Sequence, residues 1–210
     1  MVLDLNILHR SVTEMVAPEW LGGFAPGAVR IPEVLSQSHC ERLTEELSQT
    51  QYKNAEYIGS VQQEFEFIKL TPPCNNFPLV EALRLELMWL RLCWPTLRQW
   101  RPNDIAAQRY LPGHAGIGPH RDFNRDKLLI AVFSLSGSCH FRLHHTPSAD
   151  SVYAVWTLRP GDLVLLRGPG FRDYDENGDQ IEEDRPIHSV SGPLDDTPRL
   201  SLAYRMNIDE

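Results

Sequence analysis

A succession of short β segments fills the second half of the chain and constrains the fold more than any other feature. From about Ile105 onward, runs with strand character alternate with turns. Because these runs follow two helical segments instead of alternating with them, a parallel βαβ arrangement is disfavoured. The sequence therefore predicts a mainly β, α+β fold, a β-sandwich or jelly roll with N-terminal helices packed on one face. The candidate strands are DIAAQRYL, KLLIAVFSLSG, CHFRLHH, YAVWTLRPGDLVLLRG, IHSVSG and RLSLAYRMN.

Two segments before these strands have helical periodicity. LSQSHCERLTEELSQT places leucines near one stripe, and its Ser38 and Glu41 have the spacing of a capping box. NNFPLVEALRLELMWLRLCW is longer, with Pro78 suited to a first helical position and Pro95 marking the end. Apolar stripes of this kind are typical of helices that pack against a sheet.

Length and composition indicate one globular, soluble domain spanning residues 1–210. The chain is 42% hydrophobic and 23% charged, which is enough apolar content for a sizeable core. We expect a helical N-terminal part over 1–104 and a β-rich core over 105–210. No apolar run is long enough for a membrane helix, and the N-terminus lacks the pattern of a signal peptide, so we expect a cytoplasmic protein without membrane contact. Cys40, Cys74, Cys93 and Cys139 show no CxxC spacing and are expected to be free thiols.

The charge balance is acidic, with a formal net charge of -8. Such a chain lacks the broad positive footprint usual in nucleic-acid binders, although a local basic groove remains compatible with it. Neither GxGxxG nor GxxxxGK[ST] occurs, so nucleotide-binding loops of those types are not indicated.

The stretch YLPGHAGIGPHRD ends in His120-Arg121-Asp122 and is too rich in Gly and Pro to form a helix. In an extended segment His120 and Asp122 point to the same side, so they can supply two ligands to one metal. A facial triad for Fe(II) needs one more histidine, and His188 in IHSVSG is the best candidate. His140, His144 and His145 lie within or at the end of one β segment, and His114 lies in the Gly-rich loop. The alternative is an exposed turn with an ion-paired aspartate.

The last candidate strand, RLSLAYR, has two chemically different faces. Arg199, Ser201, Ala203 and Arg205 lie on one face, and the residues between them are apolar except for Tyr204. An inward face with two arginines requires an anion, and the planar guanidinium suits a carboxylate. The alternative is an edge strand whose polar face is solvated.

Together these elements resemble the Fe(II)/2-oxoglutarate-dependent dioxygenases, and QRYLPG with the five-residue gap between Arg199 and Arg205 resembles their AlkB-like branch. The resemblance implies a double-stranded β-helix (jelly-roll) catalytic core over 105–210, with the helical part over 1–104 on the substrate side. It also implies that His120, Asp122 and His188 hold Fe(II). It implies that Arg199 binds the distal carboxylate of 2-oxoglutarate, helped by Tyr110 and Ser201. Arg205 would join them if strand twist brings the two arginines together, because their Cα atoms are about 20 Å apart on an ideal strand. With O2 as the other cosubstrate, such enzymes release succinate and CO2.

The chain departs from the family pattern at three places. Gln108 and Ser201 stand where Asn is usual, and the acidic insertion FRDYDENGDQIEEDRP precedes His188. Asp173, Asp175, Asn177, Gly178 and Asp184 within the insertion partly match a calcium loop. A lid beside the cavity is the simpler interpretation of the insertion.

The resemblance implies an N-alkylated nucleobase or nucleotide-like substrate, oxidised by hydroxylation and dealkylation. Tyr52, Tyr57, Phe65 and Phe67 supply aromatic rings for a base. Glu56, Glu64 and Glu66 argue against a long phosphate track, so any nucleic acid partner should be short or single-stranded. The alternatives are a hydroxylase of a protein side chain or small metabolite, and a non-catalytic β-sandwich binding module.

Overall fold

The computed structural model describes Leu3 and residues 27–55, 61–93, 95–171 and 185–208. The helices in these ranges are α1 (Gln37–Ser48), α2 (Pro78–Leu87), α3 (Leu90–Cys93) and a 3-10 turn (Pro95–Leu97). The strands are β1 (Ala28–Ile31), β2 (Lys53–Asn54), β3 (Gln63–Glu64), β4 (Glu66–Leu70), β5 (Asp104–Tyr110), β6 (Gly116–His120), β7 (Asp126–Ser136), β8 (Cys139–His144), β9 (Val152–Leu158), β10 (Leu163–Arg167), β11 (Ile187–Ser191) and β12 (Arg199–Asn207).

The strands form two antiparallel sheets. The larger sheet has the order β1-β10-β7-β12-β5-β4-β2, and the smaller has the order β3-β6-β11-β8-β9. One buried cluster joins the helices to the larger sheet, and a second cluster contains residues of both sheets. The mainly β jelly roll with helices on one face is therefore confirmed. The division at residue 104 into two parts of one domain stays a prediction.

Strand β12 separates its two faces as the alternation predicts. Leu200, Leu202, Tyr204 and Met206 belong to the helix-side core. Tyr204 donates its hydroxyl to the carbonyl of Val80 in α2 at 2.9 Å, which fixes that helix to the sheet. The alternate residues of β12 lie on the opposite side, between the two sheets.

Helix α1 begins two residues earlier than the predicted capping box. Its N-cap is Ser36, whose side chain accepts a hydrogen bond from the backbone N–H of His39. The capping-box assignment to Ser38 and Glu41 is wrong, because Ser38 lies inside the first turn and contacts Ser36 through its hydroxyl at 3.0 Å. Cys40, Leu43 and Leu47 provide the buried stripe of this helix.

The second predicted helix is broken into two. Pro78 is at the start of α2, as expected, but the helix ends at Leu87. The backbone then tightens, since Trp89 donates to the carbonyl of Glu86, three residues back, at 3.0 Å. Leu87 and Leu90 are both buried on either side of the break, so the apolar stripe continues although the hydrogen-bond ladder does not.

The predicted strand YAVWTLRPGDLVLLRG is two strands in different sheets. Between β9 and β10, Asp162 accepts from the backbone of Arg159 at 3.0 Å. Gly161 has φ +96, and a Cβ there would lie 2.6 Å from the carbonyl oxygen of Leu35. The Pro-Gly pair is therefore the corner at which the chain passes from one sheet to the other.

Short strands were missed in the first half of the chain. Strands β1 to β4 precede Ile105, and β4 pairs with β5 from Glu66 to Leu70. Strands of two to five residues give too few alternations to stand out in the sequence. They matter for the site because β2, β3 and β4 extend the sheets on either side of the cavity described below.

None of the helices in the described ranges has the length and apolar character needed to span a bilayer. Cys40, Cys74 and Cys139 are free thiols, as predicted.

Candidate metal centre and cosubstrate cavity

A cavity of about 760 Å³ lies between the two sheets. The larger sheet contributes residues of β2, β4, β5, β7, β10 and β12 to its wall, and the smaller sheet contributes residues of β3, β6, β8 and β11. The cavity lining includes His120, Asp122, His188, Arg199 and Arg205. The residues predicted from the metal motif and from the last strand therefore meet in one space.

Three of these residues form a compact ligand set. His120 ends β6, and His188 is its direct partner on the adjacent strand β11. Potential ligand atoms of His120, Asp122 and His188 all lie within 4.8 Å of one another. Nε2 of His188 is 3.7 Å from Oδ2 of Asp122, and the two imidazole centroids are 4.3 Å apart. Two imidazoles and a carboxylate on one side of a cavity leave the other side open, which is the arrangement of a facial triad.

Backbone carbonyls set the orientation of both imidazoles. Nδ1 of His120 is 2.8 Å from the carbonyl oxygen of Gly118, and Nδ1 of His188 is 3.3 Å from that of Pro186. A carbonyl oxygen only accepts hydrogen bonds, so Nδ1 must carry the proton in each ring. Nε2 is therefore left with its lone pair available to a metal.

The protonation states also suit a metal. Burial, with a further contribution from His120, lowers the pKa of His188 to about 4. Burial alone would raise the pKa of Asp122, but His188 and Arg205 act against it and bring the pKa below its usual value. At neutral pH the site thus offers a neutral His188 imidazole and an ionised Asp122 carboxylate, the forms that bind divalent cations.

Aromatic packing supports His188 from the side away from His120. Phe141 is stacked on the imidazole of His188 with centroids 5.2 Å apart, and Trp156 is stacked on Phe141 at 5.7 Å. Arg185 donates from Nη1 to the carbonyl of Asp122 at 2.6 Å, so the segment after β6 is tied to the segment before β11. No sequence pattern indicated Phe141 or Arg185 as supporting residues.

The other histidines considered from the sequence lie elsewhere. The ring of His114 accepts from the backbone N–H of Leu111 at 3.2 Å and shapes the Gly-rich loop. His140 is within hydrogen-bond range of Thr157 at 3.4 Å. His144 contacts Ser189 at 2.8 Å, and His145 packs on Tyr153.

Arg199 has the environment of an anion site. Its side chain is 2% exposed, and Nε has no hydrogen-bond partner among the described residues. Nη1 donates to Oγ of Ser201 at 3.3 Å, and the guanidinium carbon is 4.8 Å from the ring centroid of Tyr110. A buried guanidinium with an unused donor facing a cavity fits a carboxylate ligand.

Tyr110 and Gln108 complete this end of the cavity. Burial is the main cause that raises the pKa of Tyr110 to about 12, so its hydroxyl keeps its proton and remains a donor. Tyr110 donates to Oε1 of Gln108 at 3.4 Å. Gln108 is the cross-strand partner of Ser201, so the two residues that depart from the family pattern face each other.

Arg205 lies at the other end of β12 and also lines the cavity. Its Nε is 3.8 Å from Oδ2 of Asp126, a buried carboxylate that the sequence did not single out. Arg205 helps to lower the pKa of Asp122, and it makes a small contribution that opposes the raised pKa of Tyr110. Its charge therefore acts on both the metal ligands and the Arg199 end of the cavity.

The cavity mouth is aromatic and basic. Phe65 contacts Tyr110 and Phe67 with centroid distances of 5.4 and 6.3 Å, and Phe123 is 45% exposed beside the cavity. Among the described residues, six cationic side chains line the cavity against three carboxylates. The cations are Lys53, Lys69, Arg121, Arg125, Arg199 and Arg205, and the carboxylates are Asp104, Asp122 and Asp126. A chain of net charge -8 thus has a locally basic cavity.

Two glutamates of the aromatic segment are engaged elsewhere. Oε2 of Glu64 accepts from the backbone N–H of Ala115 at 2.7 Å, and Oε2 of Glu66 accepts from Nε of Arg109 at 2.7 Å. Tyr52 lies under the guanidinium of Arg109 at 4.2 Å. Glu56 and Tyr57, and the proposed calcium loop or lid at 173–184, lie outside the described residues.

The family model described as the 2OG-Fe(II) oxygenase superfamily matches residues 37–205. The chain belongs to this superfamily. Its members use Fe(II) and 2-oxoglutarate, and the donor set of His120, Asp122 and His188 with the unpaired Nε of Arg199 fits both groups. This oxygenase is an enzyme, so the alternative of a non-catalytic binding module is wrong.

Solved structures with a similar fold include two prolyl hydroxylases and OsALKBH1. A prolyl-4-hydroxylase from Pseudomonas putida aligns with a TM-score of 0.59 and 14% identity over 93% of this chain and 100% of that chain. A Trichoplax adhaerens prolyl hydroxylase, in complex with a hypoxia inducible factor peptide fragment, aligns with a TM-score of 0.62 and 13% identity over 96% of this chain and 92% of that chain. OsALKBH1 aligns with a TM-score of 0.53 and 14% identity over 86% of this chain and 98% of that chain. No curated protein matches the sequence. At such identities the similarity establishes the fold of this oxygenase.

Proposed function

We propose that this oxygenase is an AlkB-like enzyme that oxidises an N-alkylated nucleobase or nucleotide-like molecule. The observation that carries the proposal is the cavity mouth, where aromatic rings and exposed cations occur together in an acidic chain. Phe65, Phe67 and Phe123 provide faces for stacking a base, while Lys53 and Arg125 provide charge for a phosphate. A neutral peptide substrate would require neither.

The proposal assigns a role to each inner residue. His120, Asp122 and His188 bind Fe(II) through Nε2 atoms and a carboxylate oxygen. Arg199 binds the distal carboxylate of 2-oxoglutarate through its guanidinium, whose Nε the described residues leave unpaired, with Tyr110 and Ser201 beside it. Arg205 contributes positive charge between that anchor and the metal ligands.

When bound, Fe(II) and 2-oxoglutarate supply the oxidising chemistry, in which O2 provides one oxygen atom to succinate and one to the substrate, with loss of CO2. The residues of this chain hold the substrate so that its N-alkyl C–H bond faces the open side of the triad. Hydroxylation converts that C–H into C–OH. The resulting hemiaminal breaks its C–N bond, the hydroxyl proton leaves with formation of the aldehyde carbonyl, and the nitrogen recovers its electron pair.

The structure also favours a short nucleic acid over a long one. The basic residues at the mouth are few and close to the cavity, and Glu64 and Glu66 are held in contacts with the fold rather than presented to a phosphate track. A mononucleotide or a short single strand satisfies such a surface.

Hydroxylation of a protein side chain is the second candidate. The prolyl hydroxylases from Pseudomonas putida and Trichoplax adhaerens align with higher TM-scores than OsALKBH1 does. This candidate requires a peptide to enter the same cavity and to be oxidised without release of formaldehyde.

The two candidates are separated by measuring succinate and formaldehyde together. The enzyme is incubated with Fe(II), 2-oxoglutarate and O2 at low salt, with methylated oligonucleotides, methylated nucleotides or a panel of peptides. We expect equal amounts of formaldehyde and substrate-dependent succinate from a methylated nucleotide or oligonucleotide. The Asp122→Ala variant is the control for metal-independent products. Substrate-dependent succinate with peptides alone would refute the nucleobase proposal and retain the oxygenase assignment.

A further inference from the structure

Strand β9 is an edge strand of the smaller sheet. The strand order β3-β6-β11-β8-β9 leaves β8 as its neighbour on one side. On the other side, the backbone N–H and C=O groups of Val152–Leu158 make no hydrogen bond with the part of the chain that the structure describes. A row of unpaired backbone groups of this kind is a template for pairing with a further strand.

The sequence of β9 does not protect this edge. VYAVWTL contains no charged residue, proline or glycine, and six of its seven residues are at least partly exposed. Val155 is 51% exposed. The register shifts near Tyr153, but Ala154–Leu158 pairs regularly with Cys139–Leu143. Natural edge strands are usually very short, bulged, charged or covered, and the stretch from Ala154 onward has none of these protections among the described residues.

The other sheet edges in the described ranges are of a different kind. Strands β2 and β3 have two residues each, with an exposed Lys53 in β2 and an exposed Glu64 in β3. Strand β1 has four residues and includes Arg30, whose Nη2 lies 2.8 Å from Oδ2 of Asp162. Among these four edges, β9 matches only another copy of itself in length and in the absence of charge.

We propose that two copies of this oxygenase associate by antiparallel pairing of their β9 strands, which joins the two smaller sheets into one continuous sheet. Antiparallel self-pairing gives a two-fold axis, so each copy presents the same residues to the other. Two chains of net charge -8 then meet at a strand that carries no charge. Because the two-fold arrangement uses both β9 edges, association ends at the dimer.

The proposed interface is separate from the active site and small. No residue of β9 lines the cavity between the sheets, so the pairing does not occupy the space for the substrate. Interfaces built on one pair of short strands are at the lower end of the range of specific protein interfaces. We therefore expect a dimer with a Kd of about 1 to 100 µM.

Sedimentation velocity of the anaerobic enzyme with Fe(II) and 2-oxoglutarate tests the inference, over a concentration series from about 1 to about 300 µM that brackets the expected Kd. Val155→Glu should raise the Kd at least about 10-fold, because like charges then face each other across the two-fold axis. Arg142 is the cross-strand partner of Val155 within one copy, so the fold of the monomer accepts the new carboxylate. Leu92→Glu makes the same change of charge at a position of α3 that is 78% exposed, and this matched control should keep the wild-type Kd.

Hydrogen exchange at low and high protein concentration locates the interface. Backbone amides of 152–158 should exchange more slowly at high concentration in the wild-type enzyme, and Val155→Glu should abolish this difference. A wild-type enzyme that stays monomeric throughout the series would overturn the inference and leave the edge to a strand of another protein. A dimer that tolerates Val155→Glu, is weakened equally by Leu92→Glu, or gains no protection at 152–158 would overturn it as well.

Discussion

Arg199 and Tyr110 are direct partners across strands β12 and β5, and the guanidinium carbon of Arg199 lies 4.8 Å from the Tyr110 ring centroid. Because both residues belong to hydrogen-bonded strands in the interior of a sheet, the proposed anion site is held by the fold itself. The flat face of the guanidinium is occupied by the ring. Its edge, with the unpaired Nε, remains for a ligand.

Arg199→Lys should weaken 2-oxoglutarate binding although the charge is retained. An ammonium group cannot reproduce the planar fork or stack on Tyr110 in the same way. We expect the KM for 2-oxoglutarate to rise about 10-fold to 100-fold. Succinate formation at varied 2-oxoglutarate measures the effect, with the exposed Arg98→Lys as control. An unchanged KM would transfer the anchor to Arg205.

His188→Ala should remove high-affinity Fe(II) binding. Two remaining ligands hold a labile divalent cation poorly. Substitutions of residues that only orient metal ligands lower metal affinity by about 100-fold at most. Loss of a ligand itself should lower the Fe(II) affinity by more than that. Anaerobic Fe(II) titration provides the measurement. His140→Ala is the matched control, because this histidine lies on the neighbouring strand β8 and contacts Thr157. Comparable affinity in both variants would mean that another residue supplies the third ligand.

Phe141→Leu should lower Fe(II) affinity by about 10-fold, in the range seen for residues that orient metal ligands. The smaller side chain removes the aromatic face stacked on His188. Phe133→Leu is the control for general destabilisation, since Phe133 is fully buried in the helix-side core and packs edge-to-face on Tyr204. Both variants should lose similar thermal stability. If Phe133→Leu lost Fe(II) affinity to the same extent, the effect would come from stability and not from orientation.

In the metal-free protein, Asp126 should lower the free energy of unfolding to an extent that depends on pH. The pKa of this group rises from its ordinary value of 3.8 to about 6 on folding, mainly through burial. A carboxyl with a raised folded pKa does not destabilise the fold below pH 4. It lowers the free energy of unfolding as the pH rises from about 4 to about 6, by about 2 to 3 kcal/mol in total.

Denaturant unfolding of the wild type and Asp126→Asn at pH 4, 5, 6 and 8 tests this prediction. The variant should be the more stable protein at pH 8, and the difference between the two should shrink toward pH 4. A variant that is less stable at every pH would show that Asp126 stabilises the fold through a contact it makes in the native state.

Oligonucleotide affinity should depend weakly on salt. With only a few exposed cations at the mouth, the logarithm of the association constant for a short single strand should fall with a slope of about −1 to −3 against the logarithm of salt concentration. Arg125→Ala should reduce the slope by about 0.7, whereas the distant Arg98→Ala should not change it. A steep slope that Arg125→Ala leaves unchanged would place the nucleic acid on a different surface.

Features encoded by local periodicity were predictable from the sequence. The alternation in RLSLAYR assigned the core face and the polar face of β12, because a strand has period 2 whatever surrounds it. The spacing of His120 and Asp122 and the position of His188 in a nearby β segment were likewise visible. Pairing of β6 with β11 then makes His120 and His188 direct neighbours.

Features that depend on the three-dimensional environment were not predictable. Pro160 and Gly161 mark a turn between two apolar runs, but nothing local indicates that the chain changes sheets there. Asp126 is one aspartate among many in the sequence, and only its burial and unpaired oxygen distinguish it. The basic mouth was missed because Lys53, Lys69 and Arg125 come from separate segments, so the net charge of the chain conceals them.

The two-faced construction of β12 also limits how this oxygenase can diverge. Every second residue of the strand belongs to the helix-side core, and Arg199, Ser201 and Arg205 belong to the proposed cosubstrate face. A substitution on the core face should destabilise the fold. A substitution on the proposed cosubstrate face should impair 2-oxoglutarate binding. New substrate preferences are therefore expected to arise at Lys53 in β2, at Lys69 in β4 and in the segment that follows β6, where side chains reach the cavity from exposed positions.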